Sequence, residues 1–115
     1  MNNPMQAEYI RMTQILAHEC FRASSDKGFW EQGDRRSKGE MIALMHSELS
    51  EMLEGVRKPG PDSHVPEFTS EEIEMADLFI RALDYAAGWK LRLGEAIFAK
   101  MTFNATRPYK HGKVF

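Results

Sequence analysis

Four carboxylates in this chain stand in two pairs of equal spacing. Glu48 and Glu51 lie in MHSELSEMLEGVRK, and Glu74 and Asp77 in EMAD. Residues three apart are neighbours on an α-helix, so each pair forms one acidic patch if its segment is helical. On a wheel of about 100° per residue, Met41, Met45 and Met52 fall within about 60° of Glu48 on one side and Leu44 within about 40° on the other. Glu51 lies about 60° from Glu48, one turn along. Asp77 is flanked by Ile73 and Ile80, again within about 60°. Both pairs therefore sit at the centre or edge of an apolar face. If those faces pack together, the acids converge.

Such convergence is costly. Two like charges 4 Å apart repel by about 4 kcal/mol at an effective dielectric near 20. Glu48, Glu51 and Glu74 have no basic residue three or four positions away on their own helix, and only Asp77 has one, Arg81. A hard divalent cation offsets the repulsion, and oxygen-only ligands suit Mg²⁺, with Mn²⁺ as a substitute. Di-iron bundles instead use Glu-x-x-His on two helices. None of the four histidines has a glutamate three residues before it, which sets iron aside. A single E-x-x-E most often marks a solvated helix face. Two such pairs on apolar faces, mostly without basic partners, favour a metal.

The elements that must position these acids read as four helices. The first spans about Met5 to Ala23. A thirteen-residue loop follows, SSDKGFWEQGDRR, long enough to carry function. The second helix starts at Ser37, where Ser37 and Glu40 have capping-box spacing, and ends near Gly55–Val56. The linker KPGPDSHVPEF leads to a third helix with Thr69 and Glu72 as a second box. That helix runs to about Ala87, with Gly88 as its expected stop. The fourth spans about Leu91 to Phe103. No segment alternates with period two, so no sheet is expected.

The bulk properties narrow the function classes. With 115 residues the chain is read as a single domain, 1–115. A formal net charge of −2 gives no general attraction to nucleic acid or to an anionic membrane, so neither is an expected partner. No run approaches ~18 apolar residues and no signal-peptide pattern opens the chain. The lone Cys20 cannot form an internal disulfide, which fits the cytoplasm. The tail, about 105–115, is basic: no Asp or Glu follows Glu95, while Lys100, Arg107, Lys110 and Lys113 do.

The paired motifs Glu48-Leu-Ser-Glu51 and Glu74-Met-Ala-Asp77, with the ending KMTFNATRPYKHGK and the HVPEF before the third helix, resemble the MazG-like nucleotide pyrophosphohydrolases. The match is to the short, single-domain, phage- and integron-type members, and covers roughly Gly28 to the C-terminus. The resemblance implies an all-α, four-helix protomer assembling as a dimer or dimer of dimers, a homodimer or homotetramer. It implies cleavage of a (deoxy)nucleoside triphosphate between the α- and β-phosphates, giving a monophosphate and pyrophosphate, in nucleotide-pool housekeeping. Glu48, Glu51, Glu74 and Asp77 would hold Mg²⁺, with Glu48 and Glu51 as the catalytic candidates. Many members carry a further glutamate immediately before the first motif residue. Ser47 stands there in this chain, which leaves the general base open.

Lys100, Asn104, Arg107 and Lys110 are the phosphate-binding candidates, since Lys and Arg grip phosphate by charge-assisted bonds. Lys38 and Arg81 are weaker ones. Trp30 is the base-stacking candidate by family analogy. Two rivals stand beside the enzyme. One is a helical interaction module whose acids pair in trans with Arg35, Arg36 or the tail. The other is a nucleotide sensor without turnover.

Overall fold

A computed structural model describes residues 4–115, apart from the side chain of Asp34. The all-α expectation holds. The described residues form four α-helices: α1 (Gln6–Asp26), α2 (Lys38–Arg57), α3 (Ser70–Gly88) and α4 (Leu93–Ala105). They contain no strand, only one isolated antiparallel bridge between Pro61 and Thr69. No helix among them is long and apolar enough to cross a membrane.

Local chemistry explains the helix starts. Ser37 caps α2, its Oγ accepting the Glu40 amide at 3.1 Å. Thr69 makes both arms of a capping box with Glu72, so α3 begins where the sequence places it. Glu72 is exposed, yet the Thr69 amide and hydroxyl hold its carboxyl below the usual value. The linker is more ordered than its composition suggests. Buried Asp62 accepts the amides of His64 and Val65, each at 2.9 Å. Those two bonds hold its carboxyl below the usual range. The Asp62 amide in turn donates to the Phe68 carbonyl at 2.8 Å.

The bundle is built around α3, which packs against both α2 and α1, while α4 packs against α1. At the α2–α3 crossing, a Cβ on Gly55 would lie 3.0 Å from the Glu71 amide nitrogen, so the glycine permits the close approach. Tyr9 of α1 stacks on Phe98 of α4 with centroids 5.9 Å apart.

α1 and α4 differ from the sequence reading in their bounds. α1 runs on to Asp26, and a 3-10 turn at Gly33–Arg35 shortens the loop. α4 starts and ends two residues later than expected. α3 ends at Gly88 as expected, but Gly88 itself is helical and the positive φ falls at Lys90 (57°). The reason for a glycine is steric. A Cβ there would sit 2.2 Å from Trp30 Cη2.

Candidate metal centre

The α2–α3 seam brings acids from both helices together. One carboxylate oxygen each from Glu48, Glu74 and Asp77 lie within 4.8 Å of one another, all half-buried. The packing of α2 on α3 decides this, because neither pair alone holds three such oxygens. Glu51 is the exception. It is exposed and outside the group of three, though near enough for its charge to act on Glu74.

The cluster strains its own ionisation. Glu74 is pushed up to about 7, first by burial, then by a hydrogen bond with Glu48 and by the charges of Glu48, Asp77 and Glu51. Asp77 is also raised, by burial and by Glu48, with Arg81 opposing. Both shifts run in the direction expected where carboxylates crowd together away from water. Three hard oxygen donors at this separation fit a divalent cation such as Mg²⁺ or Mn²⁺.

One expectation about local charge needs correction. Arg81, the apparent helical partner of Asp77, reaches across the seam, and its Nε donates to Glu48 Oε1 at 3.1 Å. Glu48 therefore does have a cation, supplied by the neighbouring helix. Intrahelical spacing could not reveal it. Ser47 offers no substitute for an acid, since its Oγ donates to the Leu44 carbonyl at 2.6 Å.

Beside the cluster opens a cavity of about 570 Å³, lined by Phe29, Gln32, Arg36, Ser37, Glu40 and Arg81 among others. Arg81 belongs to both the cavity and the acid seam. Phe29, 61 % exposed, is the aromatic side chain in the lining, and Trp30 is not. Trp30 instead packs against Phe21 and Trp89, with centroids 5.4 and 5.5 Å away. Its Nε1 donates to Asp84 Oδ1 at 2.8 Å, and the Arg36 guanidinium lies 4.7 Å from its ring. Trp30, the base-stacking candidate of the sequence, lines a separate cavity of about 350 Å³ with Phe21, Gly33, Gly88, Trp89 and Lys90.

Asp84 escaped the sequence reading. It is buried, bonded to Trp30, and faces Arg36 Nη1 at 3.7 Å. The signal was present: Asp84 is seven residues after Asp77 and so shares its helix face. Arg36 accordingly faces Asp84 within the chain and not the four motif acids. Lys38 lies over the rings of Tyr85 and Trp89, 5.7 and 4.9 Å from their centroids.

The C-terminal candidates lie elsewhere in the fold. None of Lys100, Asn104, Arg107 and Lys110 lines the cavity. Lys100 and Arg107 lie over the Phe103 ring, at 4.7 and 5.9 Å, and Lys110 over Tyr109 at 5.9 Å. Asn104 Oδ1 is buried without a hydrogen-bond partner. These residues ride on α4 or just after it, and α4 packs against α1.

Compared with models of known protein families, with curated proteins and with solved structures, the chain matches none.

Proposed function

We propose that this protein is a Mg²⁺-dependent nucleoside triphosphate pyrophosphohydrolase acting between the α- and β-phosphates. The observation that carries the reading is the convergence of Glu48, Glu74 and Asp77 within 4.8 Å, from two different helices. Those three residues would hold the ion. Glu51, one turn along α2 from Glu48, is left as a fourth ligand or as the acceptor of the attacking water's proton. When bound, the ion supplies charge neutralisation for the phosphates and lowers the pKa of water.

The chain's own groups account for binding. The cavity falls within the usual range for small-ligand sites, about 300–1,000 Å³. Arg36 and Arg81 in its lining, which also holds Glu31 and Glu40, are the cations available to phosphate, and Phe29 gives it a face on which a base can stack. Phe29 thus takes the stacking role in place of Trp30. A cytoplasmic nucleotide pool is the natural setting for such an activity.

The test is a panel of NTPs and dNTPs with Mg²⁺, assayed for pyrophosphate and orthophosphate. Pyrophosphate with a monophosphate is expected, and Glu74→Gln should abolish it while the far-ultraviolet circular dichroism stays helical. Orthophosphate as the sole product overturns the reading. One observation favours a second reading, a purely structural polar seam: the 3.1 Å bond between Arg81 and Glu48. Under that reading Glu74→Gln, which relieves repulsion, raises Tm and no divalent ion binds.

A further inference from the structure

One buried carboxylate serves two groups of the segment between α1 and α2. Asp84 of α3 is 7 % exposed. Its Oδ1 accepts a hydrogen bond from Trp30 Nε1 at 2.8 Å, and its Oδ2 faces Arg36 Nη1 at 3.7 Å. The two oxygens thus tie two points of that segment to α3. Asp84 itself does not line the 570 Å³ cavity, whereas Arg36 does. Any effect of Asp84 on a ligand there passes through another residue.

Arg36 is held by charge and ring contact. Its side chain is 15 % exposed. The guanidinium lies 4.7 Å from the Trp30 ring centroid and 5.7 Å from that of Phe29. Its contact with Asp84 is an ion pair longer than a hydrogen bond, and Nη1 is buried with no hydrogen-bond partner. Arg36 pairs with Asp84 and not with Glu31 or Glu40, although both of those acids line the same cavity. The buried carboxylate therefore keeps the guanidinium from collapsing onto the cavity's own acids. So held, it presents a planar fork suited to a phosphate oxyanion.

We propose that Asp84 is a positioning residue: through Arg36 it fixes the cation that grips a ligand oxyanion in the cavity. The inference rests on the reading that this cavity takes the phosphates of a nucleotide. Its sign separates it from plain electrostatics. A carboxylate near an anion site repels the anion, so deleting its charge would by itself tighten anion binding. A carboxylate that holds the arginine in place does the reverse. Without it the guanidinium turns to Glu31 or Glu40 and is lost to the ligand. Asp84→Asn isolates the effect. The amide keeps an oxygen to accept from Trp30 Nε1 and deletes the charge that holds Arg36.

Calorimetric titration of the full chain with inorganic triphosphate in excess Mg²⁺ tests it. Asp84→Asn should weaken binding by about tenfold, a size expected within one ion-pair network. In an Arg36→Gln background the same change should alter the affinity by no more than about twofold. Binding by Asp84→Asn equal to or tighter than wild type overturns the inference. So does an equal loss in both backgrounds, or a wild type that binds no triphosphate. Pyrophosphate release from NTPs, followed in parallel, separates the two claims. A wild type that turns over while Asp84→Asn binds normally removes the inference alone. A wild type whose triphosphate binding depends on Asp84, yet which releases no pyrophosphate, keeps the inference and removes the hydrolase. If Asp84→Asn fails to fold, ¹⁵N–¹H resonances of the wild type decide. Triphosphate should shift both the Arg36 Nε and the Trp30 indole signals, because one carboxylate links the two groups. Unless both move, the inference fails.

Discussion

Lowering the pH from 8 to 6 should weaken divalent-metal binding by about tenfold. The perturbation acts on Glu74, whose carboxyl is pushed up to about 7 in the metal-free protein. Ligand carboxylates must be deprotonated to bind, so protons compete with the ion. With that value, about nine in ten Glu74 side chains are ionised at pH 8 and about one in eleven at pH 6, a ratio of about ten. The raised Asp77 titration adds to the loss at the acid end. Because the acids interact, the measured steps belong to the cluster and not to one residue.

Free Mn²⁺ followed by electron paramagnetic resonance gives the apparent affinity at each pH. Glu74→Gln should flatten the dependence between pH 6 and 8. An affinity that changes less than twofold over that range, or a wild-type slope retained in Glu74→Gln, refutes the reasoning. Stability supplies a check of opposite sign. The folded metal-free chain holds on Glu74 a proton that the unfolded chain releases, so its stability falls as pH rises from the ordinary 4.5 through about 7. Saturating Mn²⁺ should recover that loss.

Two further substitutions test the scaffold. Gly88→Ala would place a Cβ 2.2 Å from Trp30 Cη2 and should cost about 1–3 kcal/mol by overpacking, read as a lower urea midpoint; an unchanged midpoint contradicts the packing described. Thr69→Ala removes the hydroxyl arm of the α3 capping box and should cost about 1 kcal/mol, and a thermal midpoint equal to wild type would show that the cap contributes nothing.

The sequence by itself determined the helices and the acidic pairs. Apolar periodicity placed four helices, and the Ser37 and Thr69 caps set the starts of α2 and α3, because both signals act within one or two turns of chain. The i, i+3 spacing put Glu48 beside Glu51 and Glu74 beside Asp77 for the same reason. Only the tertiary structure decided which acids meet. The crossing of α2 on α3 selects Glu48, Glu74 and Asp77 and leaves Glu51 at the surface. It also turns Arg81 toward Glu48, a partner 33 positions away. Phe29 and Trp30 are adjacent and alike in sequence, yet one lines the cavity and the other is tied to Asp84. Local spacing fixes neighbours along a helix. Neighbours across a seam depend on the angle and register at which two helices pack, and that is a property of the whole bundle.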